Sequence, residues 1–175
     1  MTDQTNQAVD QALGLLPNGL YLMTAAHGDV RSGILVSAVS RCCDSPNLLC
    51  VSARKGHKID PLIRDSRSFA VGIVDPNDKL ITRRFMDSAA EPIESINGEH
   101  DDPFDAIETL QLATGAPILA RCTTWFDCEV LRRIDLESET ELLVGAVVAV
   151  LHNGQRMDIN RNESNGHPDE GYRSV

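Results

Sequence analysis

Few side chains in this sequence combine a reactive or charged group with suggestive spacing, and most of them fall between residues 37 and 67. Arg54, Lys55, Lys58, Arg64 and Arg67 form a basic run opposed within that stretch only by Asp60 and Asp65, and His57 stands among them. In a chain of formal net charge −10, such a run reads either as a seat for a small anionic ligand or as a solvated surface. Composition alone leaves the two open. Cys42 and Cys43 lie just upstream, and Cys50, Cys122 and Cys128 bring the thiols to five. The odd count, the lack of a C-x-x-C pair and a polar start without a secretory pattern predict free thiols in a reducing cytoplasm. His27, His57, His100, His152 and His167 fall at no ligand spacing to a cysteine pair, so no metal site is expected.

The remaining composition excludes several classes. The acidic balance argues against a nucleic-acid binder, which must set cations against phosphate. The longest apolar run, Leu142 to Leu151, is about half of the roughly 20 residues that a membrane helix needs, so no membrane span is expected. A length of 175 residues suits one domain with its own core. Asp87 to Glu108 holds eight acidic residues and no Lys or Arg. Its part from Asp87 to Asp105 reads as a surface loop or flap.

The elements that must position these residues follow from periodicity and turn chemistry. Val9, Leu13 and Leu16 predict an amphipathic helix over 6–16, ended by Pro17-Asn18-Gly19. Strands are expected at Leu20–Ala26, Gly33–Cys42, Leu48–Ala53 and Phe69–Val74, with turns at 27–29 and 44–47. Asp60-Pro61 and Asp75-Pro76 each offer a capping Asp before a Pro at the first helical position, predicting helices over 61–67 and 76–86. Long β stretches are expected at Ile118–Ile134 and Glu141–Leu151, before a polar tail over 152–175. No repeat and no Gly-rich nucleotide fingerprint occurs. Short, regularly spaced strands with few helices predict a mainly β fold, an antiparallel barrel rather than a doubly wound sheet.

The order of several motifs resembles the flavin reductase family, whose fold is an FMN-binding split β-barrel. Pro17-Asn18-Gly19-Leu20-Tyr21-Leu22-Met23-Thr24-Ala25 is similar to its first strand, and Gly33 through Pro46 to its main flavin-binding strand and following turn. Arg54-Lys55-Gly56-His57-Lys58-Ile59 with Leu62-Ile63-Arg64-Asp65-Ser66 resembles its phosphate-side segment and next helix. Thr114-Gly115-Ala116-Pro117-Ile118-Leu119, Phe126-Asp127-Cys128-Glu129-Val130 and Glu141-Leu142-Leu143-Val144-Gly145 resemble its later strands. The likeness runs from about residue 15 to 151, and looks most like the reductase-like module at the C-terminal end of some flavodiiron proteins. It implies an N-terminal helix over 1–16, a flavin-binding domain over 17–151 and a C-terminal tail.

The resemblance implies FMN as cofactor, NAD(P)H as hydride donor to flavin N5, and a homodimer with a possible protein redox partner. Ser37 and Ala38 would border the isoalloxazine ring, and Arg41, Cys42 and Cys43 would offer backbone amides to ring or ribityl atoms. Lys55, His57 and Lys58 would face the phosphate. Adjacent Cys42 and Cys43 on a strand point to opposite faces, so their amides rather than their sulfurs are expected to serve the ligand. Ser138-Glu139-Thr140 stands where many members have Gly-Asp-His near the nicotinamide, and Cys43 stands where Ser is usual. Those departures keep two other readings open: a flavin module that takes electrons from a protein partner, and a split-barrel binder of another ligand such as haem or pyridoxal phosphate.

Overall fold

The computed structural model describes residues 2–86 and 102–159. In chain order the elements are α1 (Thr2–Leu13), β1 (Tyr21–His27), β2 (Val30–Val36), β3 (Val39–Cys43), β4 (Leu48–Arg54), α2 (Ile59–Ser66) and β5 (Ser68–Ile73). There follow α3 (Lys79–Met86), β6 (Thr109–Gln111), β7 (Pro117–Leu119), β8 (Thr124–Asp135), β9 (Thr140–His152) and β10 (Gln155–Asp158). Most of the expected acidic flap, and the tail beyond 159, lie outside the described residues.

Seven strands pair antiparallel in the order β2-β1-β5-β8-β9-β4-β3, and β10 joins β9 beyond the end of β4. The two end strands of this path, β2 and β3, are consecutive in sequence. Only Ser37 and Ala38 separate them, so the sheet has to curl until its edges meet at that point. The result is a split β-barrel. The expected single strand Gly33–Cys42 is therefore two, because its halves pair with different neighbours: Val36 with Tyr21 on β1, Val39 with Val51 on β4.

One apolar cluster, with Met23, Val51, Phe69, Val71 and Leu143, fills the barrel, and α2 closes it with Ile59, Leu62 and Ile63. A second, with Leu22, Ile81, Phe85, Ile118 and Trp125, covers the other face of β1 and β5. Burial on both faces explains why β1 reads as a continuous apolar run rather than an alternating one. Apolar burial at about 25 cal/mol per Å² is the main stabilising contribution in both clusters.

Both helix starts differ from expectation. Lys58 is the N-cap of α2 and makes no side-chain cap bond, while Asp60 lies inside the helix. Asp75 Oδ1 instead accepts from the Asn77 N–H (2.9 Å), forming a local turn. The cap of α3 is Asp78, whose Oδ1 accepts from the N–H groups of Leu80 (3.1 Å) and Ile81 (3.3 Å). Its Oδ2 accepts from Arg121 Nε at 2.8 Å. The predicted stretch Ile118–Ile134 breaks after Leu119, where β7 turns away to pair with β6. The start of the polar tail forms β10, paired with the end of β9.

Two carboxylates tie these pieces together. Asp127, fully buried on β8, accepts from Ala113 N–H (2.7 Å), Thr114 N–H (2.8 Å) and Thr114 Oγ1 (2.5 Å), which fixes the chain entering β7. Asp127→Ala removes the acceptor of two backbone N–H groups and the Thr114 hydroxyl, and should cost about 1–3 kcal/mol in urea unfolding; an unchanged midpoint would show that these bonds contribute nothing. For Asp78, the bond from Arg121 and then the backbone donors hold the carboxyl below its ordinary 3.8. Its contribution is thus present above the unfolded value and lost as pH falls through the depressed folded one. Asp78→Ala should lower stability by about 1 kcal/mol at neutral pH. Melting curves of both proteins should draw together as pH falls through the depressed carboxyl value, and a constant gap would remove the ionised carboxylate as its cause.

Candidate functional site

Ser37 and Ala38 are exposed, and their carbonyls point to opposite neighbours: Ser37 O accepts from Gly19 N–H (3.1 Å), Ala38 O from Ser52 N–H (3.0 Å). From there β3 runs as an outer strand. Among the described residues it pairs only with β4, which leaves its other backbone edge open. Its side chains are turned to local partners. The Arg41 guanidinium pairs with Asp44 (2.9 Å) and donates to Asn47 Oδ1 (2.9 Å). Cys43 Sγ lies 3.4 Å from Ser45 O. Cys42 sits at a register irregularity between Arg41 and Cys43. Such a bulge bends an edge and re-aims its groups. What β3 presents outward is main chain.

The five thiols are free. Burial pushes Cys122 up to about 11 and Cys128 higher still, so both stay protonated near neutrality. Cys42 is exposed and Cys43 half-buried, so neither is the small buried apolar residue that a core position would require.

The turn 55–58 leaves β4 at the same end where Ala38 meets Ser52, whereas Cys43 pairs with Leu48 at the other end. Four residues of strand separate those ends, roughly 13 Å at about 3.3 Å per residue. The structure therefore brings Ser37 and Ala38 close to the turn and leaves Arg41–Cys43 farther along. An extended ligand with its anionic end at the turn meets Ser37 and Ala38 before it reaches Arg41.

Within the turn the three sequence candidates differ. Lys58 is half-buried and makes no ion pair among the described residues. Lys55 Nζ lies 2.5 Å from Asp135 Oδ1, and its N–H donates to Glu139 O (2.8 Å). His57 is 7% exposed, and its Nδ1 accepts from the Ile59 N–H (3.1 Å). The imidazole thus supports the first turn of α2 and is largely withdrawn from solvent.

The acids that answer the basic run lie some eighty positions away in sequence. Arg54 pairs with Glu139 at 3.2 Å. Arg133 makes a two-pronged contact with the buried Glu141 (3.1 and 2.6 Å) and also pairs with Asp60. Arg133, Glu139 and Glu141 sit on the β8–β9 hairpin, and antiparallel pairing of Arg54 with Thr140 brings them to the turn. A linear reading misses them because charge compensation here is across strands rather than along the chain.

A family model described as "Flavin reductase like domain" matches residues 13–164. Among curated proteins, "Putative diflavin flavoprotein A 3" of Nostoc sp. is 30% identical over 128 residues, covering 73% of this chain and 21% of the relative. The "Diflavin flavoprotein A 1" of Synechocystis sp. is 26% identical over the same share. The chain thus spans about a fifth of the length of these relatives. Among solved structures, the NADH:FAD oxidoreductase of Streptomyces globisporus C-1027 superposes with a TM-score of 0.67 at 18% identity, over 90% of this chain and 95% of that one. The flavoredoxin of Methanosarcina acetivorans gives 0.62 at 21%, over 79% and 70%. At such identities these structures support the fold, a split barrel of the same kind. With its family pattern matched over most of its length, this chain belongs to the flavin reductase-like domain family.

Proposed function

We propose that the chain binds FMN along the open edge of β3 and acts as an NAD(P)H-dependent oxidoreductase, working as a homodimer in the cytoplasm. The observation that carries this reading is the juxtaposition of an open main-chain edge with a cationic turn at one end of the same strand pair. FMN carries acceptor atoms on its ring and a dianionic phosphate, and those two features match the two halves of the site. Main-chain groups of Arg41–Cys43 that face away from β4 suit the ring, and Ser37 and Ala38, expected beside the ring, lie nearer the turn and suit the ribityl chain. Lys58, with Lys55, suits the phosphate, where charge-assisted contacts are strongest. His57 acts one step removed, by holding the Ile59 N–H and so the shape of the turn.

When bound, FMN supplies the redox chemistry, its N5 accepting a hydride from a nicotinamide. The protein contributes binding, orientation and shielding from water, which is why no side-chain acid or base is required. One observation favours the second reading, an electron-transfer module without a nicotinamide site. Where many members have Gly-Asp-His, Glu139 is tied to Arg54, and Ser138 Oγ donates to Thr140 O (3.2 Å). Anaerobic mixing with FMN and NADH or NADPH separates the two: bleaching of the yellow band at a rate above free flavin supports the reductase, and bound but unbleached FMN supports the module.

The dimer is supported by apolar surface. Leu142, Val144 and Val148 are half-buried on the outer side of β9, Leu131, Ile134 and Leu136 are 42–46% exposed, and α1 exposes Val9 and Leu13. A two-fold partner is the usual cover for such faces. Sedimentation at micromolar concentration should give twice the chain mass of 19.1 kDa; a monomer alone would contradict the dimer. For the phosphate, Lys55→Ala with Lys58→Ala should weaken FMN roughly ten-fold or more, with riboflavin little changed. Equal losses for the two ligands would remove the phosphate from this turn.

A further inference from the structure

The sequence shows the segment 54–60 as basic, yet in the fold two of its three Lys and Arg side chains are matched by acids of the β8–β9 hairpin, and its Asp60 is matched by Arg133 of that hairpin. Arg54 faces Glu139, Lys55 faces Asp135, and Arg133 is shared between Glu141 and Asp60. Lys58 alone has no ion pair among the described residues. These matches are not equivalent. The Glu141 side chain is 10% exposed and held by two Arg133 contacts, so it belongs to the framework. Asp135 is different, with 67% of its side chain exposed at the hairpin end.

The same Asp135 oxygen that meets Lys55 Nζ also accepts the Glu137 N–H at 2.8 Å, which fixes the carboxylate in position. Glu137 adopts a left-handed backbone (φ 52°), so this acceptor is part of how the hairpin turns. A phosphate arriving at the turn 55–58 therefore either competes with Asp135 for Lys55 or settles beside a fixed negative charge. Both outcomes weaken it.

We infer that the β8–β9 hairpin end sets the strength of the phosphate seat, and that Asp135 is the specificity-determining residue that keeps FMN exchangeable by partly neutralising Lys55. This rests on the phosphate reading above and adds a regulator to it. A chain built this way would hold flavin loosely enough to release and rebind it, which suits flavin as a diffusing substrate more than as a permanent group.

The test is Asp135→Asn, which keeps the shape and the acceptor for the Glu137 N–H while removing the charge. Binding of FMN and of riboflavin is followed by quenching of flavin fluorescence at low salt, with a thermal melt to verify folding. The affinity for FMN should rise about three-fold or more, as expected for deleting one nearby charge in a partly exposed site. Riboflavin should be unaffected, and the gain should shrink as salt is raised. An FMN affinity that stays the same or falls, or an equal gain for both ligands, overturns the inference. The Lys55→Ala, Lys58→Ala protein tells the two failures apart. If that variant loses FMN selectively while Asp135→Asn changes nothing, only the role of Asp135 is wrong. If it loses both ligands equally, the phosphate reading itself fails, and this inference with it.

Discussion

Two neighbouring carbonyls, those of Ser37 and Ala38, serve different strands. One accepts from Gly19, at the entry to β1, and the other from Ser52 on β4. Successive carbonyls of an extended chain point to opposite sides, and here the pairing passes from one side to the other: up to Val36 the chain pairs with β1, and from Val39 with β4. Everything distinctive about the site follows from that switch. It joins the two ends of the sheet into a barrel, exposes Ser37 and Ala38, and, among the described residues, leaves β3 with one paired and one open edge. Open edges are normally a liability that proteins blunt or cover. Here the short edge carries charged and polar side chains bound to their own turn, and its main chain remains available.

The scaffold behind the switch is held by packing on both sides of β1 and β5 and by β9, which pairs with β8, β4 and β10. Gly145 shows how tight this is, since a Cβ there would lie 2.6 Å from the Phe69 ring and 2.9 Å from Cys128 Cβ. Ion pairs at the turn contribute differently. Exposed pairs such as Arg54–Glu139 add little stability, on the order of a few tenths of a kcal/mol. Their importance is geometric and electrostatic: they fasten the turn after β4 to the hairpin and decide how much positive charge it retains.

Much of this was legible in the sequence, and the parts that were not have common causes. Strands with period-two or continuous apolar patterns were found to within a few residues, because burial dictates both. The fold and family followed from the order of motifs. Helix starts were shifted, since Asp-Pro pairs are compatible with caps but Asp78, three residues later, makes the better one by gaining Arg121 as well. The break at Ser37–Ala38 leaves no local trace, because both residues suit a strand and only their distant partners divide them. What the basic run faces was not legible, because Asp135 and Glu139 reach Lys55 and Arg54 only when β9 pairs with β4, and the burial of His57 depends on the fold around the start of α2. Local chemistry is visible in a sequence. Cross-strand chemistry is visible only through register.

The central claim is that flavin is held by the main chain of β3 and the turn that follows β4. Amide chemical-shift mapping of the ¹⁵N-labelled protein during titration with FMN tests it most directly. The account predicts that the largest saturable shifts fall on residues 37–43 and 55–58, with β10 and α3 scarcely moved. Saturable binding that leaves those two segments undisturbed and shifts amides elsewhere would contradict it.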